Sequence, residues 1–153
     1  MHLSDLISSE FIFLNVSAYT NIEAISILAD YLFNKKVVKA SFKQAVLQRE
    51  ETSPTGLQTK SAGIAIPHTD IEHVNRNIIA IAVLKEPVYF CSMEDPQRKI
   101  ETNLVFMLAL QDPHGHLNVL KELIMVFQDE ETLSHLISSS TPEELYGYLR
   151  NRS

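Results

Sequence analysis

Asn77-Ile78-Ile79-Ala80-Ile81-Ala82-Val83-Leu84 and Asn103-Leu104-Val105-Phe106-Met107-Leu108-Ala109-Leu110 are the two longest apolar stretches of the chain. Neither approaches the roughly 20 residues a membrane span needs. Both lack the polar alternation of a strand with one wet face, so they read as strands buried on both sides. For the second run a buried helix is the alternative. Gly63–Ile66 forms a shorter apolar stretch, Val88–Phe90 suits an additional edge strand, and Phe11–Leu14 suits an extended segment near the start.

Helical patterns flank these runs. Thr20 or Asn21 caps a helix to about Asn34, with Ile22, Ile25, Leu28, Ala29, Leu32 and Phe33 at helical spacing. Ser41 caps a second helix through about Glu50, with Phe42, Ala45 and Val46 on one side, and Ser53-Pro54-Thr55-Gly56 is a turn. From about Gly115 to Gln128, Leu117, Leu120, Leu123, Ile124 and Phe127 repeat helically, and Glu130–Ile137 forms another short helix. Thr141-Pro142-Glu143-Glu144 opens a last one, with Thr at the cap, Pro at the first helical position and Glu three residues on. Helices, then strands, then helices imply α/β or α+β, with helices covering a mixed sheet. The strand order is not encoded in this pattern.

The chain has 153 residues, enough for one domain with a substantial core, so residues 1–153 are read as a single domain. Thirteen Lys and Arg against nineteen Asp and Glu give a net charge of −6, which speaks against nucleic-acid or anionic-lipid binding through the overall field. Asp5 and Glu10 stand where a secretory signal would be basic and then apolar. Cys91 is the only cysteine, so no internal disulfide or Cys-rich zinc site is possible. A cytoplasmic protein without membrane insertion is the expectation.

Four glycines, Gly56, Gly63, Gly115 and Gly147, build neither a Walker A loop nor a G-x-G-x-x-G turn. The chain also lacks a G-x-S-x-G elbow and an H-E-x-x-H helix. The segment Gly63-Ile64-Ala65-Ile66-Pro67-His68-Thr69-Asp70 carries more. Pro67 halts the apolar strand because it cannot donate to the ladder. His68 then stands at the strand's carboxyl end, where α/β sheets place ligands. Its imidazole either presents a nitrogen to a ligand or satisfies a nearby carbonyl. Arg49, at the end of the second helix, suits a two-pronged hold on phosphate or carboxylate, or is a solvated cation at a helix end. His114-Gly115-His116 precedes a helix, near unpaired N–H groups that attract anions. His68, Asp70, His114 and His116 together would make a metal-dependent hydrolase, although the spacing is not that of a catalytic zinc site. Cys91 reads as a small packed side chain. Glu50-Glu51 and Asp129-Glu130-Glu131 read as solvated faces, and Tyr19, Tyr31, Phe33 and Phe127 as core.

Arg49-Glu50 with Pro54-Thr55-Gly56, then Gly63-Ile64-Ala65-Ile66-Pro67-His68, then His116-Leu117 with Leu120 and Leu123, resemble the IIA domain of the bacterial sugar phosphotransferase system, fructose–mannitol branch. The similarity runs from about Leu3 to Leu149. Thr55-Gly56-Leu57 and Val88 to Met93 look most like galactitol-type subunits, whereas a histidine at position 116 is usual in mannitol- and fructose-type members. The resemblance implies an α/β fold, its mixed, mostly parallel sheet flanked by helices on both faces. It implies a cytoplasmic phosphotransferase component that takes a phosphoryl group from the histidine phosphoprotein HPr. That group passes to a IIB component, and through it to a sugar entering by the membrane IIC component. His68 matches the phosphorylated histidine, with Nε2 as the expected phosphoryl carrier. His116 matches the second active-site histidine and Arg49 the motif arginine. Thr55, in the turn after Arg49, is itself read as a further hydroxyl donor to the phosphoryl oxygens. Neither cofactor nor metal is implied. A regulatory relative of the nitrogen branch would share the same histidine chemistry.

Overall fold

The computed structural model describes residues 2–152, the side chains of residues 113–115 and 152 excepted. In chain order the elements are α1 (Leu3–Leu6), β1 (Ile12–Val16), α2 (Asn21–Asn34), α3 (Phe42–Thr52), β2 (Gly56–Gln58), β3 (Gly63–Ala65), β4 (Ile78–Cys91), β5 (Lys99–Ala109), α4 (Pro113–Phe127), α5 (Glu130–Ser138) and α6 (Pro142–Arg152). The strands form one five-stranded sheet in the order β1-β4-β5-β3-β2. β1 pairs with β4, and β3 with β5, in parallel, whereas β4–β5 and β2–β3 are antiparallel. The mixed α/β sheet is therefore as expected, but parallel pairs do not predominate in it. The long β4–β5 hairpin at its centre is the reason.

Both central strands bury both faces, and the alternation hidden in their apolar sequence appears in what each residue touches. Ile79, Ile81, Val83, Leu104, Phe106, Leu108 and Leu110 enter one core with α1, α4, α5 and α6. Ala80, Ala82, Leu84, Val105, Met107 and Ala109 enter the other, with α2 and α3. The second face is rich in alanine, which lets α2 lie close to the sheet, as its Ala24, Leu28 and Ala29 do. Asn103–Leu110 is thus strand, not helix. Gly63 makes the β3–β5 approach possible: a Cβ there would stand 1.9 Å from the Glu101 carbonyl oxygen.

Several local expectations change. Val88–Phe90 is no separate edge strand. It continues β4 past a register shift between Val83 and Val88 and still pairs with β5. Lys85-Glu86-Pro87 breaks the apolar pattern there, and Pro87 has no N–H to give the ladder. The short strand β2 follows the Ser53–Gly56 turn directly. Tyr19 and Phe33, read as core, are exposed: Tyr19 precedes the α2 cap, and Phe33 lies off the helix's inward stripe. Thr20 caps α2 through the Glu23 N–H (3.1 Å). Ser41 makes no cap bond to α3 and instead pairs with His73 Nδ1 (2.7 Å). Thr141 does cap α6, accepting from Glu144 N–H, while the Glu144 carboxylate accepts from Ser140 N–H, one residue earlier than a standard capping box.

Candidate functional site

His68 sits just beyond β3. The assigned strand stops at Ala65, yet Pro67 does not end the extended path: its carbonyl accepts from Leu108 N–H (3.0 Å), and His68 bridges in parallel to Leu108. A proline loses only its donor, and this contact requires only its acceptor. His68 is therefore held against β5 rather than hanging in a loop. Its Nδ1–H donates to the Ile66 carbonyl (2.9 Å), which fixes the ring proton on Nδ1 and leaves Nε2 with a bare lone pair. The two readings of this histidine meet here: one nitrogen serves the backbone and the other remains available. Burial pushes its pKa below the ordinary 6.5, and Arg49 pushes the same way. The Ile66 bond and Asp70 push back.

His116 lies in the first turn of α4, its ring centroid 5.9 Å from that of His68. Burial, then His68 and Arg49, depress its pKa, against opposing effects of Asp112 and Asp70. Its Nε2 is buried and has no hydrogen-bond partner among the described residues. Such an atom is costly unless something completes it. Arg49, in the last turn of α3, reaches Asp70 with Nη1 (3.3 Å). Both partners are well exposed, so the contact contributes about 0–1 kcal/mol and the guanidinium is cheaply redirected. His68, His116 and Arg49 thus come together, as the sequence suggested. Asp70 is paired with Arg49, and the side chain of His114 lies outside those described. Among the described residues no three His, Cys, Asp or Glu side chains are placed to share a metal ion.

Thr55 stands otherwise than expected. It is buried, and its hydroxyl donates to Glu50 Oε1 (2.7 Å) while accepting from Ile66 N–H (3.2 Å). Glu50 Oε2 also accepts from Thr55 N–H (2.8 Å). Glu50, read as part of a solvated face, is therefore a buried carboxyl behind the histidine, only 6% exposed. Burial raises its pKa to about 7, against the opposing effect of the two Thr55 bonds. The sequence did hold a signal for it. Phe42, Val46 and Glu50 recur every four residues, so Glu50 continues the inward stripe of α3.

His68 and Ile66 open onto a groove of about 1160 Å³ whose apolar walls include Leu57, Met93, Leu120, Ile124 and Met125. Helix α4 builds one wall because it is apolar over more than its packed face. Val119, Leu123, Val126 and Phe127 are buried, whereas Leu117 and Ile124, expected to face inward, are exposed together with Met125. Asp129, Glu130 and Glu131 give one end of the groove an acidic rim. Among the described residues no helix is long and apolar enough to cross a membrane.

Comparison with known proteins gives the same picture. Residues 5–152 match the family described as phosphoenolpyruvate-dependent sugar phosphotransferase system, EIIA 2. The 2-O-alpha-mannosyl-D-glycerate-specific EIIABC component of Escherichia coli K12 is 28% identical over 99% of this chain, which spans only 23% of that relative's length. The galactitol-specific EIIA component of the same strain is 27% identical over 76% of this chain and 77% of its own. In the solved complex of enzyme IIAMtl with phosphorylated enzyme IIBMtl from E. coli, one chain superposes with a TM-score of 0.77 at 26% identity, covering 95% of this chain and 99% of that one. Because the match extends over nearly every element that positions His68, His116 and Arg49, the chain belongs to the EIIA 2 family of the phosphoenolpyruvate-dependent sugar phosphotransferase system.

Proposed function

We propose that the chain is a cytoplasmic phosphocarrier with His68 Nε2 as its phosphoryl acceptor. The donor is phosphorylated HPr: its P–N bond breaks as a P–Nε2 bond forms on His68. In the second step the P–Nε2 bond breaks as phosphorus bonds to the cysteine sulfur of a IIB component, which serves the membrane IIC component. The observation that carries this reading is the Nδ1–H bond to the Ile66 carbonyl, which leaves Nε2 unprotonated beside an open groove. Phosphoryl transfer asks little covalent chemistry of the protein, so alignment and charge stabilisation decide the rate. The partnerless His116 Nε2 and the cheaply redirected Arg49 supply donors for the phosphoryl oxygens. Thr55 acts from behind, through Ile66, because its hydroxyl proton is engaged by Glu50.

The apolar groove gives both partners one docking surface, and its acidic rim favours partners that present basic side chains. The IIB partner is supported by the solved IIAMtl–IIBMtl complex. Galactitol-type pairing is supported by the Thr55-Gly56-Leu57 and Val88-to-Met93 segments, and by the match to a galactitol-specific EIIA component over most of its length. The test is incubation with phosphoenolpyruvate, the general transferase enzyme and HPr, followed by mapping of the modified residue. Acid-labile phosphate is expected on His68 and absent from His68→Ala, and a galactitol IIB is expected to discharge it. Label persisting on His68→Ala would remove this histidine from the role.

A further inference from the structure

The backbone of Ile66 is held on both sides of its Cα. Its carbonyl receives the His68 Nδ1–H (2.9 Å), and its N–H donates to Thr55 Oγ1 (3.2 Å). The regular β2–β3 ladder ends at the pair Gly56 and Ala65. One step further, the Thr55 hydroxyl takes the place of a backbone carbonyl. A hydroxyl that accepts one bond must still direct its own proton, and here Glu50 decides where. Its Oε1 receives the Thr55 O–H (2.7 Å) while Oε2 receives the Thr55 N–H (2.8 Å). The carboxyl therefore grips Thr55 at two points and turns a free lone pair of Oγ1 toward Ile66. Leaving such a carboxyl buried is costly unless its bonds are made, and Thr55, in the turn after α3, supplies both.

We propose that Glu50 is a positioning residue, acting through Thr55 and the Ile66 backbone to hold the carbonyl that commits the His68 proton to Nδ1. The inference rests on the phosphocarrier reading for its consequence in transfer, but its structural content can be read without any transfer. Glu50 touches neither the imidazole nor a transferred group. Loss of its grip frees the end of β3, and His68 then samples both neutral tautomers, one of which has Nε2 protonated and unable to attack.

The test is ¹⁵N spectroscopy of the imidazole rings in the full chain, at a pH where His68 is neutral, paired with the initial rate of phosphoryl acceptance from phosphorylated HPr. The wild-type chain is expected to show a protonated Nδ1 and a bare Nε2 on His68. Thr55→Val keeps the shape and removes the hydroxyl, whereas Glu50→Gln keeps the volume and one acceptor. Both should move the two His68 nitrogens toward averaged shifts, and a displacement of about 1 Å at the histidine should slow acceptance on the order of 100-fold. Thr55→Ser should restore the wild-type ring signature and most of the rate. A merely structural role would leave the ring shifts in place while lowering the melting temperature. If Thr55→Val fails to fold, the isosteric Glu50→Gln decides. His68 shifts in Glu50→Gln that superimpose on wild type overturn the proposal, whatever the transfer rate does. Ring shifts that move as expected in a chain that never accepts phosphate uphold the positioning role and overturn the phosphocarrier reading instead.

Discussion

On the phosphocarrier reading, a phosphoryl group on His68 Nε2 would bring negative charge into a site where burial favours the neutral form of both imidazoles. Neutrality suits the attacking ring, because a protonated Nε2 has no lone pair. The pKa of His68 lies below 6.5, so acceptance should be flat from pH 8 down to the usual imidazole range and fall only below it. Initial rates across pH 5 to 8 check this; a fall centred above 6.5 would contradict it. For His116→Ala the expected effect is a loss of about 10²-fold in transfer, the order found when one preorganised donor is removed from a developing charge, with the fold intact by circular dichroism. The sequence singled out His68, His116 and Arg49 because they stand in the three blocks that carry the family resemblance, and the fold brings these side chains near one another. Glu50 was harder to read. A carboxylate beside Glu51 at a helix end looks solvated until the helix's inward stripe is followed one turn further.

Among the elements, the ends of α2 show how local chemistry departs from a simple reading. The helix stops in a Schellman arrangement, with Val37 N–H on the Leu32 carbonyl (2.9 Å) and Lys36 N–H on that of Phe33 (3.0 Å). The residue placed in the left-handed region, at φ 62°, is Lys36, where glycine is usual. Lys36→Gly should therefore stabilise the protein by about 1 kcal/mol, read as a shift in the denaturant midpoint with an unchanged slope. No glycine marked this stop in the sequence, so only the end of the apolar periodicity announced it. The central strands were legible as strands, but not their pairing. When both faces are apolar, alternation is invisible, and which neighbour each strand takes depends on contacts far apart in the chain. The excess of apolar residues on α4 was also visible in the sequence. Its meaning, a helix that packs on one side and walls a groove on another, required the sheet beneath it.

At the scale of the molecule, opposing titrations shape stability. Glu50 has a folded pKa of about 7 against an ordinary 4.5, so the folded chain holds its proton more tightly than the unfolded chain does. That contribution is complete below the unfolded pKa and is lost as pH rises through the folded one. His68 and His116 act in reverse: their folded pKa values are depressed, so their contribution is present above 6.5 and lost as pH falls through the lower folded values. Melting temperature measured from pH 4.5 to 8 should therefore show a downward slope from Glu50 that disappears in Glu50→Gln, and a low-pH loss from the imidazoles that remains. An identical slope in the two chains would contradict the assignment.

The groove beside His68 draws its walls from three distant parts of the chain: Leu57 to Lys60, Met93, and Leu120 to Glu131. Met93 belongs there because its N–H is tethered to the Gly56 carbonyl (2.8 Å), folding the far tip of the central hairpin back beside β2. A short synthetic peptide copied from the Pro67-His68 segment would reproduce the imidazole without this scattered frame, and so would make a poor decoy for any protein that visits the histidine.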